Sequence, residues 1–158
     1  MSLSVLKNFY YNNAMKNFPN TIPVFPLSGV IYFPKTNLPL NIFERRYLDL
    51  VNDCIKKDRL MGMVQSKKDG DEVYKIGCLG KISDFHRSED NRILINLTGV
   101  IRFEIEKEIL NKKLYREFEV SYEKFNLDTK KVDKPIEKQE INLLFDKTKS
   151  LFKKRGLI

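Results

Sequence analysis

Ile93-Leu94-Ile95-Asn96-Leu97-Thr98-Gly99-Val100-Ile101-Arg102-Phe103-Glu104-Ile105-Glu106 decides the fold. Ile93, Ile95 and Leu97 alternate with Leu94, Asn96 and Thr98, and Phe103 and Ile105 alternate with Arg102, Glu104 and Glu106. A period of two puts successive side chains on opposite faces, so this is a long strand, over 92–109, with one face wet near its end. Upstream, Ser88-Glu89-Asp90-Asn91 is turn chemistry, because Asp and Asn tolerate left-handed backbone. It joins the long strand to a partner over Val73–Phe85 that contains Ile76-Gly77-Cys78-Leu79-Gly80-Lys81-Ile82. The glycines inside that pattern mark bends or bulges, and Gly99 of the long strand is read with Gly80 as a structural turn position. Lys67-Lys68-Asp69-Gly70-Asp71 is a second hairpin turn, after a strand over Leu60–Gln65. Downstream, Phe118, Val120 and Tyr122 form the inner face of one more strand between Tyr115 and Glu123. The succession predicts an antiparallel meander.

The first third is punctuated by Pro19, Pro23, Pro26, Gly29, Pro34 and Pro39. Proline at this density excludes helix and confines strands to edges or bulges. Two short extended segments, Ile22–Leu27 and Leu38–Phe43, fit. From Arg45 to Lys57 the spacing turns helical, with Tyr47, Leu48, Val51, Cys54 and Ile55 as the apolar stripe and Lys56-Lys57 suited to the helix C-terminus. Residues 126–135 read as a polar connector ending in Pro135, a good first helical residue, with Glu137 in the opening turn. Ile141, Leu144, Phe145, Thr148, Leu151 and Phe152 then mark an amphipathic helix that must bury Leu144, Phe145 and Phe152, capped by Gly156.

With 158 residues, the chain suits one core and an appendage: an extension over 1–21, a domain over 22–128, and a connector with helix over 129–158. No window approaches the roughly 18 consecutive apolar residues of a membrane span, and no signal peptide is legible, so the expectation is a cytoplasmic protein. The formal charge of +8 is localised. Nine basic residues after position 128, from Lys130 to Arg155, oppose only Asp133, Glu137, Glu140 and Asp146, which leaves the strands nearly neutral. A solvated lysine face accounts for this, and nucleic-acid binding through that basic segment is the alternative.

Reactive chemistry is sparse. Cys54 and Cys78 with one histidine, His86, lack the ligands for a zinc site and read as reduced, buried small residues. The lysine after Gly77 and Gly80 is not a phosphate loop, because the glycine spacing is short and Ile82 stands where Ser or Thr is needed. His86 falls beside a turn, and the serines form no nucleophile motif, so no catalytic set, cofactor or metal is expected. Glu44, Arg46 and Arg102 interrupt apolar runs, and burying such a charge unpaired costs several kcal/mol. The expectation is a structural ion pair between Glu44 and one of these arginines.

Four phrases in fixed order carry a family resemblance: Phe25-Pro26-Leu27-Ser28-Gly29-Val30, Leu38-Pro39-Leu40-Asn41-Ile42-Phe43-Glu44-Arg45-Arg46-Tyr47, the glycine-bearing Ile76–Ile82, and Leu97-Thr98-Gly99-Val100-Ile101-Arg102-Phe103. With Leu114-Tyr115-Arg116 and Asp128, they resemble the N-terminal substrate-binding domain of the Lon protease family, in the form of small stand-alone bacterial Lon-domain proteins. The resemblance implies an α+β, mainly β fold: a PUA-like six-stranded pseudo-β-barrel with one helix inserted after the second strand, followed by a C-terminal amphipathic helix. In complete proteases of this family the domain helps select polypeptides, whereas the ATPase and Ser/Lys dyad lie in later domains, so no activity is implied. Arg45 stands where the family commonly has proline, and the chain stops at Ile158 where relatives continue into further helices, so the apolar stripe over 141–152 is expected to be partly uncovered, or docked on a neighbouring molecule, if the chain has been cut. The function expected is recognition of unfolded or partner polypeptide, with a Lon-type ATP-dependent protease as a further partner. The contact residues expected are Tyr32, Phe33, Pro34 and Leu38, rigid apolar groups among prolines.

Overall fold

The alternation around Ile95 and Phe103 produces a strand of 17 residues, and the rest of the molecule is arranged along it. The computed structural model describes residues 18–67, 72–130 and 137–156. In chain order the elements are β1 (Thr21–Leu27), β2 (Asn37–Ile42), α1 (Arg45–Ile55), β3 (Leu60–Ser66), β4 (Val73–Arg87), β5 (Ile93–Ile109) and β6 (Arg116–Ser121). A 3-10 segment (Glu123–Thr129) and α2 (Lys138–Lys154) follow.

Strands β5, β4, β3, β1 and β6 close into a ring through a β5–β6 pairing, and β2 is appended to β5. The long strand is shared along one edge. Residues 93–98 pair with β2, residues 104–109 pair with β6, and β4 runs along the opposite edge. Register shifts at Leu79/Gly80 and Ile82/Asp84 bend the β4–β5 ribbon. Bulges increase local twist. Beyond them the hairpin leaves the ring and forms, with β2, an arm over α1.

From β3 to β6 the neighbours are antiparallel, as the meander reading expects, but β1 corrects it. Val24 to Leu27 pair in parallel with Gly62 to Gln65. Parallel neighbours require a long crossover, which β2 and α1 supply. The opposite edge of β1 closes the ring in antiparallel register with β6.

Two cores result. Inside the ring, Phe103, Ile101, Leu79, Ile22 and Val24 are fully buried beside Phe118, Val120 and Tyr122, the three inward residues expected of β6. Between α1 and the arm, Leu50, Val51 and Cys54 meet Ile42, Ile82, Ile93, Ile95 and Leu97. At about 25 cal/mol per Å² of apolar surface removed from water, side chains of this size contribute about 1.5–3 kcal/mol each. Helix α1 starts after Glu44, which caps it in extended conformation, and stops at Ile55 with Lys56 as its cap. Lys57 therefore lies past the end of the helix and outside its last turn.

Helix α2 differs from its expectation in two ways. Glu137 is its extended N-cap and not part of the opening turn, while Pro135 lies outside the described residues. Leu144 and Phe145 are 67% and 69% exposed, so the stripe is not buried. Gly156 closes the helix in left-handed backbone at φ 65°, which glycine adopts without cost. The Asp69-Gly70 turn and residues 1–17 of the N-terminal extension also lie outside the described residues. The hairpin below that turn is closed by Lys67 N–H donating to Glu72 C=O at 2.8 Å. Among the described residues, no helix is long and apolar enough to cross a membrane.

Candidate functional site

The loop between β1 and β2, residues 28–36, lies flat on the β4–β5 ribbon because two glycines face each other there. Gly80 and Gly99 are paired across the strands. A Cβ on Gly99 would collide with the Phe33 carbonyl, and one on Gly80 would stand 2.5 Å from the Tyr32 hydroxyl and 2.6 Å from Leu97. The approach is secured by Lys35 N–H donating to Gly99 C=O and Gly99 N–H donating to Thr36 C=O, both at 2.8 Å. The Thr36 hydroxyl donates to Phe33 C=O at 2.6 Å. Lys35 holds left-handed backbone at φ 65° to complete the turn. Gly80 thus has the bulge expected of it, and both glycines have a second task that the sequence did not reveal.

So held, the loop forms one wall of a groove of about 150 Å³, lined by Val30 to Phe33, by Met63 to Gln65 of β3, by Ile76 to Cys78 of β4, and by Arg102. Its rim is apolar and open to solvent: Ile31 is 74% exposed, Phe33 55% and Ile76 44%. Tyr32 is half-buried, its ring packed on the α1 core. Its hydroxyl is buried with no hydrogen-bond partner among the described residues, and that burial pushes its pKa up. Tyr32 therefore anchors the loop, while Phe33 is the exposed aromatic. Pro34 is half-buried behind it, and Leu38 packs on the α1 core and does not line the groove.

Arg102 closes one side of the groove and pairs with Asp128. Its Nε donates to Asp128 Oδ2 at 2.9 Å, its Nη2 to Oδ1 at 2.8 Å, and its backbone N–H to Oδ2 at 3.0 Å. The guanidinium carbon lies 4.7 Å from the centre of the Phe125 ring. The Arg102 hydrogen bond holds the Asp128 carboxyl below the usual carboxylate range. The Lys35 ammonium donates to Lys130 C=O at 2.9 Å, tying the loop to the end of the 3-10 segment. Glu44 meets Arg46, one of the two arginines named for it, at 2.9 Å, with both side chains about half exposed at the start of α1 and away from the groove.

Cys54 and Cys78 are buried free thiols, and burial pushes each up to about 12. His86 lies within β4 and is exposed, not in the turn beside it. Among the described residues, no group of three His, Cys, Asp or Glu could hold a metal ion. A second cleft of about 130 Å³ near α1 has Asp53, Lys57, Asp58 and Glu117 in its wall. The Tyr115 hydroxyl donates to Asp53 there at 2.7 Å.

Residues 21–156 match the substrate-binding domain of the ATP-dependent protease La (LON). The chain belongs to this Lon substrate-binding domain family. A Lon protease of Syntrophus aciditrophicus is 29% identical over 140 residues, covering 82% of this chain and 17% of that protein. A Lon protease of Cytophaga hutchinsonii is 27% identical over 100 residues, covering 60% and 12%. The chain thus spans under a fifth of the length of these relatives. A crystal structure of a Lon N-terminal domain protein from Xanthomonas campestris superposes with a TM-score of 0.56 at 30% identity, over 65% of this chain and 59% of that one. The N-terminal domain of a Mycobacterium avium complex Lon protease gives 0.53 at 15% identity, over 86% and 69%, a likeness of fold. The Lon-family match extends beyond the barrel to include α2.

Proposed function

We propose that this Lon-type domain is a non-catalytic recognition module, and that its groove takes apolar side chains from extended or unfolded polypeptide. The observation that carries the reading is Ile31 and Phe33, on a loop fixed by backbone hydrogen bonds, and Ile76 of β4, all standing exposed around one groove. Anchors already held in place lose little freedom on binding, so more of their contact energy survives as affinity. Of the contact residues expected from the sequence, Phe33 keeps its role and Tyr32 supports it, while Pro34 and Leu38 act through the loop and core. Delivery of the bound polypeptide to a Lon-type ATP-dependent protease is the partner relationship this reading includes, drawn from the names of the relatives. The nucleic-acid alternative gains nothing from the comparisons, and the groove is apolar where phosphate recognition calls for clustered cations.

The test is binding of a permanently unfolded, reduced and alkylated polypeptide, followed by fluorescence anisotropy with wild type and an Ile31→Ala/Phe33→Ala variant. Loss of two anchors should weaken binding about tenfold, or ~1.4 kcal/mol. Equal affinity of the two proteins sinks the groove.

A further inference from the structure

Resting on the groove reading, we infer that Arg102 makes the groove selective for apolar segments that carry a neighbouring acidic side chain. Arg102 is the one charged residue in the groove wall among the described residues. Two of its side-chain nitrogens, Nε and Nη2, are committed to Asp128, and Phe125 covers one face of the guanidinium. Nη1 is left with two N–H donors and no protein acceptor among the described residues. The group is 42% exposed, against 10% for Asp128. A planar guanidinium fixed on one side is a prepared donor on the other, since no rotamer freedom remains to be lost when a carboxylate arrives. Charge favours the same occupant. Among the described residues, Lys35 has its ammonium on a backbone carbonyl and not on a carboxylate. The Asp128 carboxylate lies within electrostatic reach of both Arg102 and Lys35, two cations to one anion.

The experiment uses terminally blocked peptides with the same two aromatic residues and one adjacent position set to Glu, Gln or Lys, at about physiological ionic strength, where the Debye length of ~8 Å screens distant charge. The Glu peptide should bind about fivefold tighter than the Gln peptide, the scale of one partly exposed charge pair. Arg102→Gln should erase that preference, and Asp128→Asn, which removes the competing carboxylate charge while its amide oxygen can still accept from the guanidinium, should enlarge it. Opposite shifts in the two variants are what a merely structural pair could not give. If Arg102→Gln fails to fold, as circular dichroism would report, Asp128→Asn still decides. Equal binding of Glu and Gln peptides to wild type overturns the selectivity and leaves the groove reading standing. So does a preference that persists in Arg102→Gln, which would come from the overall positive charge. Failure of all three peptides to bind overturns the groove itself.

Discussion

Asp128 does for β5 what a neighbouring strand would do. Between the stretch paired with β2 and the stretch paired with β6, the Arg102 amide has no strand opposite, and the Asp128 carboxylate accepts its hydrogen bond at 3.0 Å. The same carboxylate binds the guanidinium by both oxygens, so the gap in the ring edge and the charge that interrupts an apolar run are satisfied by one side chain.

Asp128→Ala should therefore cost about 1–3 kcal/mol, because a partly buried amide and a guanidinium lose their acceptor together. The contribution depends on pH with a definite sign. The folded-state pKa of Asp128 is depressed, so its stabilisation is complete above the unfolded value of ~3.9 and is lost as pH falls through the folded value. Urea midpoints of wild type and Asp128→Ala should differ by a constant amount from pH 6 to 8 and converge in acid. Parallel curves at every pH would exclude the linkage.

The glycine pair makes a graded expectation. Gly99→Ala meets the Phe33 backbone carbonyl, which can move only with the whole loop, whereas Gly80→Ala meets the Tyr32 hydroxyl and Leu97 side chain. Gly99→Ala should cost more than Gly80→Ala, both within the 1–3 kcal/mol typical of overpacking. Tyr32→Phe removes a buried hydroxyl that has no partner among the described residues, and should be neutral or stabilising. A double-mutant cycle should show that Tyr32→Phe relieves part of the Gly80→Ala cost and none of the Gly99→Ala cost.

Glu44→Ala should change stability by less than about 0.5 kcal/mol, in line with exposed ion pairs in general. Burial of the pair would make the loss several-fold larger, and the sequence alone suggests a clear loss. A thermal melt of the single variant separates the two.

The thiols offer a reading of global opening. With both groups pushed up to about 12 by burial, an aromatic disulfide reagent at pH 8 should react with neither in the folded protein and with both in denaturant. Rapid reaction of one thiol under native conditions would show that its side of the core opens locally.

The strands and α1 were legible because their apolar periods are strong and local. Pairing partners were not. Nothing in Val24-Phe25-Pro26-Leu27 tells that its neighbour is the parallel β3 and not the next segment in sequence. The pairing of Arg102 was half legible: a charge between Ile101 and Phe103 must be paired or exposed, but finding Asp128 as its partner requires knowing that the chain returns past β5 after β6. Phe33 could be named as an exposed loop aromatic, and the family resemblance located the glycines. The groove itself could not be read, because it exists only once the loop has folded back across Gly80 and Gly99, strands that follow it in sequence. The α2 stripe shows the reverse case, a clear amphipathic period whose burial the period itself could not guarantee.

The sharing of β5 also bears on how the domain comes apart. The ring interior and the layer beneath α1 draw residues from the same continuous strand, Phe103 for one and Ile95 for the other. Loss of register in one half therefore pulls on the strand that holds the other, and the two halves are expected to unfold together.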